Sequence, residues 1–463
     1  MVLQRRKFIL AGTAAVAAPT LLGEPAAPQK VRMGFIGLGN RGTQLLHWFL
    51  NQPDVEPVAV CDVYEPFLMR DRDAFDSKFA DFGLERSLPV FTGSDGSLLG
   101  SEKKLQDAVK AGKCKRYSDY RRLLEDPHVD AVCIATPDHW HALMTIDAIK
   151  ACKDVYCEKP LSVSLAEGRA MVKAQKESKQ VVGVGLNRRG SAAYRKLKGE
   201  IDGGKYGAFR VGRAARVSNL FPNGIGKCPP CQPPKGLDWD KWVGPRAFRP
   251  YRYTIAPYLF RWHSDFSSQM ANWGVQFLDA LRWMMGEVAP SAVTAVGGQY
   301  FLDHDGDIPD TMEVTFEFPD KKLMHFAIYE GGTSRPILSR EIEIQGSDGV
   351  IYADESGYSI IPQKTREFKN PKEPLFKPVE HTQDFVDSTS VMVRDFLDRV
   401  KDRGTPLCTL EDGHRSTSFA HLANIALRMG QRLEWNPATE QFTNCPKANE
   451  LLSYAYRDGY KLA

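Results

Sequence analysis

A chain of 463 residues, 43% hydrophobic and 25% charged, has enough apolar material for two cores and is too apolar for a disordered or fibrous protein. Its formal net charge is +4, and Arg5, Arg6 and Lys7 supply three of it. The rest is close to neutral and carries no Lys/Arg-rich run, which argues against nucleic acid or an acidic membrane surface as partner.

The N-terminal stretch Gln4-Arg5-Arg6-Lys7-Phe8-Ile9-Leu10 precedes a weakly apolar run, Ala11 to Leu22, broken by Gly12 and Pro19. The run is short of the roughly 20 residues needed to span a bilayer. A charged head and an apolar middle mark an export signal, and paired arginines match the twin-arginine type. An ordinary secretory signal or a basic tail is the plainer reading. Residues 1–28 are therefore set aside as a signal segment, with a periplasmic protein and no membrane span in the mature chain as the expectation.

Val31 to Ile36 reads as a short buried strand, followed by Gly37-Leu38-Gly39-Asn40-Arg41-Gly42 and an amphipathic helix through Leu45, Leu46, Trp48, Phe49 and Leu50. A second strand, Val55 to Cys61, ends on Asp62. This is the strand–turn–helix–strand unit that holds a dinucleotide. Gly37 permits the tight turn, Gly39 lets the backbone approach a pyrophosphate, and Gly42 allows close helix–strand packing. Asn40 and Arg41 open the helix, where exposed amides meet phosphate charge. Asp62 is placed to accept from a ribose 2′-hydroxyl and to repel a 2′-phosphate, so NAD is favoured over NADP.

From Tyr64 to Lys115 the pattern is interrupted by a charged stretch, helical at both ends, which reads as an insertion on the domain rim (about 64–116). It resumes with a helix Asp119 to Glu125 and a strand Ala131 to Ala135, ending in Thr136-Pro137-Asp138-His139-Trp140-His141. A helix through Ile149 leads to a strand Asp154 to Cys157 and then Glu158-Lys159-Pro160. The strand Val181 to Val184 precedes Gly185-Leu186-Asn187. Motifs thus recur at the carboxyl ends of successive strands, where open parallel sheets bind ligands. The domain spans 29–190.

Beyond about Gly190 the texture changes. Val211 to Val217, Ala292 to Phe301, Met312 to Phe318, Leu323 to Tyr329 and Glu341 to Ile344 read as strands of a mostly antiparallel sheet with one face covered. A long Pro- and aromatic-rich loop, Asn219 to Phe260, separates the first two, and a helix runs from about Ser267 to Met285. Helices return at Ser388 to Arg403 and Asp412 to Arg432. Residues 191–463 form a second domain, so the fold class is α/β plus α+β: a doubly wound Rossmann sheet and an open antiparallel one. The nine cysteines are scattered and odd in number, against a complete disulfide framework. Cys228-Pro-Pro-Cys231 lacks the second pair or spaced histidines of a zinc site, and no metal is expected.

Glu158-Lys159-Pro160, the glycine turn and the Thr136-to-His141 segment together resemble the Gfo/Idh/MocA family, most closely its exported bacterial branch. The likeness extends over Leu237-Asp-Trp-Asp-Lys-Trp-Val-Gly-Pro245, Glu411-Asp-Gly-His-Arg415 and Ala448-Asn-Glu450. It implies a nicotinamide cofactor, a C-terminal sheet domain that binds substrate and mediates homo-oligomers, and sugar or polyol substrates. The family's catalytic lysine falls on Lys159. An ammonium there stabilises an alkoxide, and desolvation near a positive ring raises its acidity enough for proton transfer. Glu158 orients the lysine or touches the cofactor. Thr136, Pro137 and one of His139 and His141 lie along the cofactor, with Asn187 at the last strand end.

The family's second motif, an acid and a histidine four apart with another acid three further on, falls on Asn272, Gln276 and Asp279. That spacing puts all three on one helical face, aimed at one cleft. Gln276 has donors and an acceptor but no proton to exchange near neutral pH. Either Lys159 manages the proton alone or another group stands in. His263 is the nearest candidate by sequence, a loop histidine bonded to backbone being the plainer reading. Trp239, Trp242, Trp262 and Trp273 are either a platform for sugar rings or core anchors.

The resemblance implies three alternative functions. The first is an NAD-dependent oxidoreductase acting on a sugar hydroxyl. The second is a redox-neutral glycosidase that oxidises, eliminates, hydrates and reduces on tightly bound NAD. The third is a non-catalytic carbohydrate or cofactor binder, because Gln276 replaces histidine.

Overall fold

The computed structural model describes residues 30–286, 288–332, 339–364, 373–384 and 386–462. The twin-arginine segment lies outside the described residues.

Six parallel strands form the first sheet: β1 (Val31–Ile36), β2 (Val55–Cys61), β3 (Lys115–Tyr117), β4 (Ala131–Ile134), β5 (Asp154–Cys157) and β6 (Val182–Val184). Their order is β3-β2-β1-β4-β5-β6. β4, β5 and β6 are buried along their whole length, as strands covered on both faces must be. The helix Asn40–Leu50 turns Leu45, Leu46, Phe49 and Leu50 onto the sheet. The strand order reverses between β1 and β4, which opens a crevice at their carboxyl ends.

β3 corrects the sequence reading. Lys115–Tyr117 lies at the end of the stretch that reads as an insertion, yet it pairs with β2 as the edge strand of the sheet. Three polar residues carry no periodicity by which to find a strand.

Among the described residues the second sheet has ten strands. They are β7 (Phe209–Val217), β8 (Ala292–Gly298), β9 (Thr311–Phe318), β10 (Lys322–Tyr329), β11 (Ile342–Gly346), β12 (Gly349–Asp354), β13 (Gly357–Pro362), β14 (Val379–Thr382), β15 (Leu433–Asn436) and β16 (Gln441–Phe442). Their order is β14-β13-β12-β11-β7-β10-β9-β8-β15-β16, antiparallel apart from the β7–β10 pair. Met312, Val314, Phe316 and Phe318 on β9 and Met324, Phe326 and Ile328 on β10 point to one buried side. The helices Val275–Met285 and Leu410–Met429 cover that side.

The chain then crosses back. The helix Ser388–Asp402 sets Met392, Val393, Phe396 and Leu397 into the core of the first sheet, with the Phe396 ring edge-on to Phe49 and Tyr156. Residues of the long loop, Trp239, Trp242, Tyr251 and Phe260 among them, join the same core. The loop and the tail thereby form the outer wall of the crevice.

Candidate active site

A cavity of about 370 Å³ occupies the crevice. Its floor is the glycine turn and the ends of β2, β4 and β5. Its outer wall is Leu237, Asp240–Trp242, Pro257, Tyr258, Phe260, Arg261, Asn272 and Tyr460.

The glycine turn is built for close approach. Gly37 has φ +87°, and a Cβ there would lie 2.7 Å from the Ala135 carbonyl oxygen. A Cβ on Gly42 would lie 1.8 Å from the Gly37 carbonyl oxygen, so helix and turn meet only through glycine. Gly39 faces the cavity, and a Cβ there would have only Phe67 within 4 Å, at 3.7 Å. Asp62 accepts from the Leu38 amide at 2.6 Å and the Tyr64 amide at 2.9 Å while still lining the cavity. Burial raises its pKa against those amides, which favour the carboxylate. Asn40 and Arg41 also line the cavity. These features fit a dinucleotide: Gly37–Gly42 to hold the pyrophosphate and Asp62 to hold a ribose.

Arg41 donates through Nε to Glu158 Oε1 at 2.9 Å, tying the helix start to the end of β5. Glu158 Oε2 in turn accepts from the Lys159 amide at 3.1 Å. Asn187 stands behind this pair rather than in the cavity. With its amide turned to match its neighbours, it accepts from Arg41 Nη2 at 3.0 Å and donates to the Gly185 carbonyl at 3.2 Å.

Lys159 lines the cavity and donates from Nζ to the Asn272 carbonyl at 2.8 Å. Burial pulls its pKa down to about 8; Glu158 and Asp138 oppose that shift, and Arg261 and Arg41 add to it. Asp138, beside Thr136 and Pro137 on the same wall, accepts from Ser267, and burial raises its pKa. Arg261 donates to Asn272 Oδ1 at 3.2 Å. The cavity therefore brings together Gly37, Gly39, Asn40, Arg41, Asp62, Thr136, Pro137, Glu158, Lys159 and Asn272 from the sequence reading.

Five other residues are placed elsewhere. His139 is fully buried, bonds the Trp242 carbonyl at 2.9 Å and packs on Trp242 and Phe266, and burial lowers its pKa to about 3. His141 has both ring nitrogens on carbonyls, Pro160 at 2.7 Å and Thr136 at 2.9 Å. It clamps two cavity loops together without lining the cavity, so the expectation that one of the two histidines touches cofactor is corrected. His263 is buried, bonds the Thr254 carbonyl at 2.7 Å and lies off the cavity; it is no stand-in acid or base there.

Gln276 and Asp279 correct the one-cleft reading. A π-turn, Met270–Gly274, precedes the helix Val275–Met285, so Asn272 is out of α-helical register with that helix. Each further helical turn also lies about 5.4 Å along the axis, away from Asn272. There the turn after β6 supplies Arg188 and Arg189. Arg188 donates to Gln276 and pairs with Glu341. Arg189 holds Asp279 at 2.9 Å, with Ser416 donating to the same carboxylate at 2.6 Å. Of the four tryptophans, Trp242 lines the cavity, joined by Trp140. Trp239 stacks beneath Trp242, Trp262 donates to Glu330, and Trp273 carries the Arg216 guanidinium.

Asp138, Tyr258, Arg261 and Tyr460 are cavity residues that the sequence does not single out. Asp138 lies within the Thr136-to-His141 segment and Arg261 next to Trp262, but only the fold aims them inward.

Comparison with known proteins identifies both domains. Residues 97–186 match the family model described as an oxidoreductase family, NAD-binding Rossmann fold. Residues 219–462 match its C-terminal alpha/beta domain. A myo-inositol 2-dehydrogenase of Thermotoga maritima is 27% identical over 327 residues, 69% of this chain and 83% of the relative. A glycosyl hydrolase family 109 protein of Stenotrophomonas maltophilia is 34% identical over 176 residues, 37% of this chain and 33% of the relative. A levoglucosan dehydrogenase solved with NADH and levoglucosan shares the fold at 17% identity and TM-score 0.59, over 88% of this chain and 99% of that one. With its cofactor crevice, its Glu-Lys-Pro turn and both domain models matched, the chain belongs to the Gfo/Idh/MocA family of NAD-binding oxidoreductases.

Proposed function

We propose that the protein oxidises a hydroxyl of a sugar, polyol or related compound, with Lys159 exchanging the hydroxyl proton. The observation that carries this reading is the place of Lys159, desolvated between the dinucleotide turn and the wall given by the second domain. When bound, the nicotinamide supplies the acceptor for the hydride on the carbinol carbon. The neutral amine of Lys159 takes the hydroxyl proton, and the ammonium returns it in the reverse direction. The Asn272 carbonyl and the Glu158 carboxylate fix the lysine at its two ends. Trp140, Trp242, Tyr258 and Phe260 keep the wall apolar and limit water.

The Asp62 carboxylate favours NAD over NADP, because a 2′-phosphate would meet its negative charge. The names of the relatives, myo-inositol 2-dehydrogenase and levoglucosan dehydrogenase, support a polyol or sugar substrate. An exported protein would hold its NAD tightly, since no cytoplasmic pool resupplies it.

The test is direct. Denaturing the purified protein should release nicotinamide nucleotide, and a panel of sugars and polyols should change its absorbance at 340 nm before denaturation. No bound nucleotide together with no response to added NAD and substrates would contradict the reading. Release of an aglycone from a glycoside without net NADH would favour redox-neutral cleavage instead.

A further inference from the structure

The buried and half-buried arginines around the crevice share one property. Arg41 meets Glu158, Arg70 meets Glu102, Arg188 meets Glu341 and Arg189 meets Asp279. Arg261 is different. Its guanidinium lies against the rings of Tyr258 and Phe260, with its carbon 3.9 and 4.5 Å from their centroids. Its hydrogen bonds run to neutral oxygens, from Nη1 to the Tyr258 carbonyl at 2.5 Å and from Nε to Asn272 Oδ1 at 3.2 Å. Among the described residues it forms no ion pair, and it lines the cavity. Burial disfavours its charge, yet a guanidinium does not give up its proton, so the wall holds a cation with Nη2 left to donate.

We propose that Arg261 is a specificity residue that binds a carboxylate of the substrate, so that the preferred substrates are sugar acids. This rests on the reading of Lys159 as the proton-exchanging group of the same site. Arg261 is joined to that lysine through Asn272, whose carbonyl takes Lys159 Nζ and whose side chain takes Arg261 Nε. An anion on Nη2 therefore lies on the substrate side, supplied by the second domain, while the glycine turn serves the dinucleotide. The nearby acids do not fill the role. Glu158 is held by Arg41, and Asp138 is held by Ser267. A carboxylate brings a single negative charge beside Asp138 and Glu158, whereas a phosphate dianion would bring two. The flat guanidinium edge suits the planar carboxylate.

The experiment measures binding and turnover separately on the NAD-loaded full chain. Probes are uronic acids, their uronamides and the parent aldoses of the same stereochemistry, with the sugar 6-phosphates as a further arm. Binding is followed by calorimetry and turnover at 340 nm. The acid should bind about 10- to 100-fold more tightly than its amide, the usual range for a hydrogen bond to a charged group. Arg261→Gln should erase that ratio, and Arg261→Lys, which keeps the charge, should retain part of it. Equal binding of acid and amide, no binding of any acid, tighter binding of the phosphates, or a ratio that survives in Arg261→Gln would each overturn the proposal. Acid-selective binding with no change at 340 nm would leave the carboxylate site standing and remove the oxidoreductase reading.

Discussion

At Gly39 the backbone has φ −63° and ψ −168°, which any residue adopts, and a Cβ there would touch only Phe67. The empty protein therefore has no steric need for glycine at this place; a pyrophosphate lying against the turn would supply one. Gly39→Ala should leave the thermal midpoint within about a degree of the parent while weakening NAD at least about tenfold. A large drop in thermal stability with unchanged affinity would assign the glycine to folding. Asp62 carries two tasks, since its carboxylate also ties down the Leu38 and Tyr64 amides. Asp62→Ala should loosen the turn and weaken both cofactors, NAD more than NADP, so the preference narrows. Equal affinity of the parent for the two would remove the electrostatic argument. The positions Gly37, Gly39, Gly42 and Asp62 were legible in the sequence because the motif is local: turn, helix start and strand end are neighbours in the chain. Arg261 was not legible, because nothing near it in the sequence reveals that it forms no ion pair among the described residues.

The helix after the π-turn shows what a periodic pattern leaves out. Asn272, Gln276 and Asp279 share spacing with the family's motif, but only Asn272 reaches the cavity. Periodicity gives the face of a helix, not how far along its axis a neighbouring cation arrives. Arg188 and Arg189 come from the turn after β6, and nothing local to the helix announces them. Asp279 is consequently a stabilising group, joining the helix to Arg189 and to Ser416 on the helix Leu410–Met429. Removing it leaves Arg189 and the neighbouring Arg282 with Asp412 as their shared carboxylate. Asp279→Ala should cost about 3 kcal/mol in urea unfolding, the low end of the usual loss on breaking a buried pair, because Asp412 still meets both arginines. An unchanged unfolding midpoint with lost turnover would return Asp279 to the reaction. The same limit hid β12 to β16 from the sequence: their pairing is set by β11 and β8 rather than by strong apolar/polar alternation of their own.

Across the whole molecule, the two domains share the crevice because the chain crosses between them more than once. The helix Ser388–Asp402 completes the first core, and the tail returns to place Tyr460 on the cavity wall. Tyr454 and Tyr456 both donate to Glu167 on the first domain, at 2.5 and 2.6 Å, fastening that tail. The class of each domain was readable from strand length and alternation, since nearly continuous apolar strands and alternating ones differ at sight. The wall was not readable, because it is assembled from the long loop, the π-turn and the tail, which lie far apart in sequence. This shared wall is what desolvates Lys159 and brings its pKa to about 8. A lysine with a lowered pKa is ammonium below that value and neutral above it. Accepting a hydroxyl proton needs the neutral form, so oxidation should quicken as pH rises through about 8 and then level off, and the reverse reaction should slow over the same interval. The most direct measurement is the pH–rate profile at 340 nm of the parent and Lys159→Ala on one confirmed substrate, with NAD affinity measured alongside. The account predicts a rise through about pH 8 in the parent and at least about a hundredfold loss in Lys159→Ala with NAD still bound. Near-normal turnover in that variant, with the parent's profile preserved, would contradict it.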